Sequence, residues 1–159
     1  MKREAIFSSI VAVFVVVICA ALPARADLLV LDSAGNEIAN LSSADIAGLP
    51  QTSLSVENEH ENGMNEYTGP LAREVLAAVG GSDAAEVALT AINDYSVVVP
   101  VSDFLDYPVL FATHMNGVAL SPRDKGPIWL MYPLSDYPEL QNEVINGRMI
   151  WQLVRMELR

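Results

Sequence analysis

The chain has 159 residues, which is room for one domain with a sizeable apolar core and too little for two. Its 20 acidic and 9 basic side chains give a formal net charge of −11 at pH 7, and a surface this acidic repels phosphate backbones and anionic lipid. Nucleic acid and membrane surfaces are therefore not expected as partners. Cys19 is the only cysteine, so no disulfide can form within one chain.

The first 26 residues have the pattern of a secretory signal peptide. Lys2 and Arg3 form a basic head, residues 5–22 are an apolar run, and Ala24-Arg25-Ala26 is a cleavage motif. We expect cleavage between Ala26 and Asp27 and a periplasmic or secreted product that no longer contacts the membrane. The apolar run is about as long as the roughly 18 residues that can span a bilayer, so an uncleaved N-terminal membrane anchor is the alternative. Cleavage leaves residues 27–159 as a single domain with a net charge of −13.

Short elements are predicted for the first part of this domain: a strand over 27–31, a turn at 34–36, a short helix over 44–48 and a strand over 52–57. Ser43 is placed to cap the short helix, and Pro50 to end it. Residues 58–65 are polar and predict a loop or the end of a hairpin.

The clearest helix is expected after Thr68, which precedes Gly69-Pro70 and a run of apolar residues at helical spacing that ends at Gly80-Gly81. β-Branched runs predict strands over 86–91, 95–100, 109–113, 128–132 and 150–158. Several strands with one good helix and turn-rich connections favour a sheet-rich α+β fold over a doubly wound α/β fold.

One cluster of positive charge, Arg123-Asp124-Lys125-Gly126, lies on the loop before the strand over 128–132. The guanidinium of Arg123 with the ammonium of Lys125 would bind a small anionic ligand, and the glycine would allow close backbone approach. The alternative is that these are solvated loop charges paired with carboxylates of a very acidic protein.

Asn93-Asp94-Tyr95 separates two apolar strands and offers an amide, a carboxylate and a phenol to a pocket. Asn93 and Asp94 are equally the residues that a tight turn requires, since both hydrogen-bond nearby backbone and tolerate unusual dihedral angles. His114 beside Met115-Asn116-Gly117 is a further candidate donor in a pocket, although no Ser or Cys nucleophile is evident beside it.

His60 lies among Glu57, Glu59 and Glu61, a group that would coordinate a divalent cation only if all four side chains converged. A solvated acidic loop is the favoured interpretation, so no metal ligand is assigned. No catalytic residue is assigned either, since the sequence has no phosphate loop, dinucleotide glycine pattern, zinc spacing or catalytic triad signature. The aromatic side chains in the last third of the chain either line a ligand cleft or fill the core.

Residues 109–133 read VLFATHMNGVALSPRDKGPIWLMYP. Five features follow one another in this segment: Ala112, Met115-Asn116-Gly117, Ala119-Leu120, Gly126-Pro127 and Pro133. Their order resembles that of the molybdopterin-binding oxidoreductase domain shared by sulfite oxidases. Upstream, Tyr67-Thr68-Gly69-Pro70-Leu71 is similar to that family's entry to a helix, and residues 151–158 are similar to its closing strand. The resemblance covers roughly residues 50–159. It implies a sulfite-oxidase-type, sheet-rich fold and, in full members, molybdenum held by a pterin dithiolene and one cysteine.

The chain departs from this family at three positions. The family cysteine would fall within residues 53–60, SLSVENEH, where no thiol is present. Trp129 stands where the resemblance implies an arginine, and Trp151 where it implies a lysine. Both basic residues would help to hold an anionic cofactor, so a bound cofactor is not expected and molybdopterin is implied by the resemblance alone.

Three hypotheses of function remain at this point. The first is a metal-free relative of this family that acts in binding or sensing, with a small ligand or a periplasmic protein as its partner. The second is a genuine molybdopterin-dependent oxidoreductase that ligates the metal without cysteine. The head Lys2-Arg3-Glu4 lacks the arginine pair typical of the export route for folded molybdenum enzymes, which favours the first hypothesis. The third is a structural subunit of a periplasmic complex.

Overall fold

A computed structural model describes residues 28–159 of the chain. The expected signal peptide, its cleavage site and Cys19 lie outside these described residues. Within residues 28–159, no helix is long and apolar enough to cross a bilayer.

The described chain forms strands joined by short helices, which confirms the expected sheet-rich α+β class. The helices are α1 (Ser43–Gly48), α2 (Ala72–Ala78), α3 (Val101–Asp106) and α4 (Glu143–Arg148), with one 3₁₀ turn over Pro138–Leu140. The strands are β1 (Leu28–Leu31), β2 (Glu37–Leu41), β3 (Gln51–Glu57), β4 (Met64–Pro70), β5 (Glu86–Ala91), β6 (Ser96–Pro100), β7 (Leu110–Ala112), β8 (His114–Met115), β9 (Val118–Ala119), β10 (Trp129–Met131) and β11 (Leu153–Leu158).

The larger sheet has five strands in the order β2-β1-β11-β5-β6. β1 runs parallel to β11, and the other neighbouring strands are antiparallel. Alternate side chains on a strand point to opposite faces, and here Leu28, Val30, Leu89 and Met156 are fully buried. These side chains belong to the single apolar core of the described residues.

The second sheet has four strands in the order β3-β4-β8-β9. β3 and β4 form a hairpin paired from Gln51 opposite Pro70 to Glu57 opposite Met64. Its connection lies within residues 58–65, where the sequence predicts a loop or hairpin end.

A short antiparallel pair, β7 and β10, connects the two sheets, and each of its residues is buried. The backbone N–H of Thr113, just after β7, donates to the carbonyl of Thr68 in β4 at 2.9 Å. On the other side, the N–H of Leu153 at the start of β11 donates to the carbonyl of Ile128 at 3.1 Å. Backbone hydrogen bonds therefore tie this central pair to both sheets.

Gly69 allows β4 to approach β7 closely. A Cβ atom at this position would lie 2.9 Å from the carbonyl carbon of Phe111 and 3.0 Å from the Cα of Ala112, which are backbone atoms that cannot rotate away. The absence of a side chain on Gly69 therefore sets the spacing between the two strands.

Two helix caps differ from the prediction. Ser42, not Ser43, caps α1: its hydroxyl accepts from the N–H of Asp45 at 3.2 Å, and the Asp45 carboxylate accepts from the N–H of Ser42 at 2.8 Å. Thr68 does not cap α2, because the chain stays extended through Pro70 to complete the pairing of β4 with β3. α2 begins only after Leu71.

Several elements were not predicted from the sequence: β2, most of β4, the β8–β9 hairpin, α3 and α4. α3 and α4 have 6 residues each, which is too short for a helical period to stand out. β2 lies at a sheet edge and is mostly exposed, so its sequence lacks a clear alternation.

Asp103 joins α3 to α4 and to the end of β10. One of its carboxylate oxygens accepts from Arg148 Nη1 at 2.7 Å and from the Tyr132 hydroxyl at 2.6 Å. Burial raises the pKa of the Tyr132 phenol, and its hydrogen bond to Asp103 raises that pKa further. The side chains of Asp103 and Arg148 are 15% and 23% exposed, so this ion pair is only partly screened by water.

We expect Gly69→Ala to lower the free energy of unfolding by about 3 kcal/mol, because the added methyl group must push β4 away from β7. Gly48→Ala is the matched control, since no atom lies within 4 Å of a Cβ placed there. Urea unfolding followed by circular dichroism measures both variants. Equal stability of the two variants would show that β4 and β7 can separate freely.

Asp103→Asn should lower the free energy of unfolding by about 2 to 3 kcal/mol, since it leaves Arg148 without an anionic partner in a partly buried position. Tyr132→Phe removes one hydrogen bond and keeps the ion pair, so we expect a loss of about 1 kcal/mol. Thermal and urea denaturation would give both values. A larger loss in Tyr132→Phe than in Asp103→Asn would contradict a leading role for the ion pair.

Candidate functional site

Trp129 of β10 is the centre of a cluster of aromatic rings. Its side chain is fully buried, and the indole Nε1 donates to the carbonyl of Met149 at 3.0 Å. Tyr67 of β4 packs edge-on against it at 5.4 Å between ring centroids, and Trp151 does so at 6.3 Å. Such tilted arrangements are the favoured ones for aromatic pairs. The cluster connects the four-stranded sheet to the segment that leads into β11.

His60, in the connection of the β3–β4 hairpin, packs onto this cluster. Its ring lies 5.1 Å from that of Trp151 at an interplanar angle of 70°, and 6.1 Å from that of Trp129. The Asn58 side chain holds the loop in place by accepting from the His60 backbone N–H and donating to the Tyr67 hydroxyl, both at 2.9 Å. Burial raises the pKa of this Tyr67 phenol.

The Nε2 atom of His60 is the one buried side-chain polar atom without a hydrogen-bond partner among residues 28–159. The nearest carboxylate oxygen recorded for it, on Glu59, is 3.8 Å away, which is beyond hydrogen-bond distance. A buried polar atom without a partner is unfavourable, and such atoms mark places where a further group can bind.

The ammonium nitrogen of Lys125 lies over the indole of Trp129, 5.2 Å from the centre of the ring. That nitrogen forms an ion pair with Glu61 and lies 3.8 Å from Asp124. The side chain is only 18% exposed, and its hydrogen bond to Glu61 uses one of the three N–H donors of the ammonium.

A cavity of about 530 Å³ opens beside His60. It lies between the hairpin loop, the β5–β6 turn and α4, and its wall includes Glu59, His60, Asn93, Tyr95, Glu143 and Trp151. Met149 and Ile150, both buried, also line it. The wall therefore combines apolar and aromatic surface with two carboxylates.

A second cavity, of about 770 Å³, adjoins the first and is more polar. The two cavities share Glu59, Glu143 and Asn146, and the second adds Glu57 and Gln141. Among the described residues that line them, none is Lys or Arg. Carboxylates and amides therefore set the polarity of this region.

The structure places only one of the five candidate ligand-binding residues in a cavity wall. Asn93 lines the first cavity together with Tyr95, and its side-chain oxygen accepts from the Tyr95 N–H at 3.2 Å. Asp94 is exposed with φ of +64°, and its N–H donates to the carbonyl of Ala91 at 3.0 Å. The segment is thus a tight turn that also presents an amide and a phenol to the cavity.

The other three candidates lie elsewhere. His114 is exposed in β8, with Nδ1 2.9 Å from the Thr113 hydroxyl, and Arg123 is exposed on its loop with no ion pair within the described chain. Lys125 contacts Trp129 but lines neither cavity. The five residues do not converge on one site, and their roles in binding stay predictions.

The contribution of His60 and α4 to this region was not predicted from the sequence. The sequence favours a solvated acidic loop around His60, whereas its ring packs against two indoles. Glu143 and Asn146 reach the cavities through α4, which was not predicted. The described residues contain no group of three or more His, Cys, Asp or Glu side chains arranged to hold a metal ion.

Comparison with known proteins gives one family and a structural relative. The sequence profile described as the oxidoreductase molybdopterin binding domain matches residues 18–135. The crystal structure of the sulfane dehydrogenase SoxCD from Paracoccus pantotrophus has a similar fold, with a TM-score of 0.60 and 16% sequence identity. The match covers 83% of this chain and 37% of that chain, so this chain spans well under half of its length. We found no match among curated proteins.

Glu61→Gln should free the Lys125 ammonium to bind anions. We expect the variant to lose about 1 kcal/mol of stability in low salt and to regain part of it as sodium sulfate is added in the millimolar range. Thermal unfolding with and without sulfate measures this, with Glu37→Gln as the control for removing one acidic charge. An equal effect of sulfate on both variants would argue against an anion site at Lys125.

Proposed function

This chain belongs to the oxidoreductase molybdopterin-binding domain family, and we propose that it is a member without the metal centre that binds a ligand outside the cytoplasm. The observation that carries the proposal is the packed aromatic cluster of His60, Trp129 and Trp151, at positions where the resemblance implies cofactor-holding groups. A site without a thiolate and without two basic side chains would bind an anionic molybdenum cofactor weakly.

The donor atoms of the described residues do not fit a molybdenum dithiolene centre. A cysteine thiolate is the soft ligand that this metal group calls for, and residues 53–60 contain none. The only imidazole in this segment is that of His60, and its ring packs against Trp129 and Trp151. The ring is therefore already engaged in contacts with two indoles.

Electrostatics of the neighbouring cavities also disfavours the cofactor. Where the resemblance implies an arginine and a lysine, this chain has the buried indole of Trp129 and the half-exposed indole of Trp151. The carboxylates of Glu59 and Glu143 line the space beside them. An anionic pterin phosphate would be repelled by these carboxylates and would meet no compensating cation in the wall.

A second candidate, a molybdopterin enzyme with a nitrogen ligand, is favoured by one observation. The Nε2 atom of His60 is buried without a hydrogen-bond partner, within the segment where the resemblance implies the metal ligand. The tilted and edge-on packing of the His60 ring against two indoles favours the first proposal, because binding of a metal by His60 would require this packing to change.

Location outside the cytoplasm is supported by the basic head, apolar run and Ala24-Arg25-Ala26 motif of the N-terminal sequence. The acidic composition of residues 27–159 is consistent with a protein that stays in solution after cleavage. Edman sequencing of the protein recovered from the periplasm should begin at Asp27.

Purification from the periplasm of the native host grown with molybdate tests the absence of the cofactor. We expect molybdenum by elemental analysis, and pterin fluorescence after acid release, to stay at background. A cysteine-containing family member purified from the same cells must carry both, which shows that the host can load the cofactor.

His60→Ala separates the two candidates. In the proposed metal-free protein this variant leaves the background reading of metal and pterin unchanged. Stoichiometric molybdenum and pterin in the wild type, with loss of both in His60→Ala, would overturn the proposal and establish the nitrogen-ligated enzyme.

A further inference from the structure

We propose that the 530 Å³ cavity beside His60 binds a small organic cation, an amine or quaternary ammonium group carried on an apolar or aromatic body. This inference rests on the proposed function, because it requires the neighbouring aromatic cluster to be free of a pterin. It assigns a chemical class to the ligand of that domain.

Two carboxylates that have no Lys or Arg partner line the cavity. Glu59 and Glu143 both belong to its wall, and neither forms an ion pair with Lys or Arg in the described chain. Arg148 of α4 pairs with Asp103, and Lys125 pairs with Glu61 of the hairpin loop, so neither neutralises these two carboxylates. Among residues 28–159, Glu59 has only His60 Nε2 near it, at 3.8 Å, so a ligand that brings a positive charge would displace no Lys or Arg.

The aromatic part of the wall suits the same charge. Trp151 is 39% exposed and Tyr95 is 54% exposed, and both line the cavity. Indole and phenol faces attract ammonium groups, and this attraction strengthens when the cation is partly removed from water. Buried Met149 and Ile150 provide apolar surface against which the body of such a ligand would pack.

The size and polarity of the space favour an organic cation over a metal ion. A volume of about 530 Å³ lies within the range typical of small-molecule sites. The carboxylates are spread along the wall that the two cavities share, and the described residues hold no cluster arranged for metal coordination. Asn93 and Asn146 add amide groups that can hydrogen-bond an N–H of the ligand.

The overall charge adds a kinetic argument. Residues 27–159 carry a net charge of −13, so the field around the protein attracts cations and repels anions over distances up to the Debye length. Association with a cation should therefore weaken as salt is added, and association with a matched anion should stay unfavourable at low salt.

Benzyltrimethylammonium, phenylacetate and benzyl alcohol serve as cationic, anionic and neutral probes with the same ring. We expect isothermal titration of the mature protein at low ionic strength to show saturable binding of the cation alone, and binding of the cation to quench the fluorescence of Trp151. Raising sodium chloride to about 0.5 M should weaken that binding severalfold.

Glu143→Gln should weaken binding of benzyltrimethylammonium by about tenfold, while Glu37→Gln, an exposed change on β2, should leave it unchanged. Glu143→Gln keeps the α4 cap, since that cap is supplied by Asn142, and circular dichroism checks that the variant is folded. Trp151→Leu should lower affinity by a similar factor through loss of the aromatic face.

Failure of the cation to bind, equal binding of phenylacetate, or an unchanged affinity in Glu143→Gln would each overturn this inference. The molybdenum and pterin assays on the same preparation keep this failure distinct from failure of the proposed function. A metal-free protein that binds no cation loses only the ligand assignment, whereas a protein loaded with molybdenum loses the proposed function and the inference together.

Discussion

Trp129 contacts Tyr67 of the four-stranded sheet and Trp151 next to the five-stranded sheet, and its Nε1 donates to the carbonyl of Met149. Because the ring is fully buried and hydrogen-bonded, its position fixes where the hairpin loop with His60 can rest. Lys125 lies over the same indole and pairs with Glu61 of that loop. The Trp129 side chain thus contacts three segments that are far apart in sequence: the β3–β4 hairpin, the loop with Lys125 and residues 149–151.

Trp129 and Trp151 stand where the resemblance implies basic side chains, and this difference bears on the charge around the cavity. In a site built to hold an anion, basic side chains offset nearby carboxylates. With indoles at 129 and 151, Glu59 and Glu143 face a cavity that has no Lys or Arg in its wall. The family fold is retained, as the match over residues 18–135 shows, while the electrostatic character of this surface suits positive charge. Under the proposed function, the family fold is kept while the chemistry of this surface differs from that implied for the family.

Local sequence patterns predicted the elements with strong signals. The spacing of Leu71, Val75 and Leu76 predicted α2, and the β-branched runs predicted β5 and β6 within a residue or so. The residues of the candidate site, in contrast, are brought together by contacts between segments that are distant in sequence. Glu143 comes from a six-residue helix, which is too short to show a helical period, and His60 reaches the indoles through the packing of the β3–β4 connection against Trp129 of β10. A single sequence has no local signal for either contact, and tertiary packing decides both.

The parallel pairing of β1 with β11 brings together residues such as Val30 and Met156 from opposite ends of the described chain. β11 also lies between β1 and β5, so the five-stranded sheet has a gap at its centre until residues 153–158 are present. During synthesis from the N-terminus, β1 has no partner on that side until β11 has been made. High contact order of this kind delays completion of the core. The five-stranded sheet therefore closes only after β5 and β6 have been made, while the local β3–β4 and β5–β6 hairpins need no strand made later.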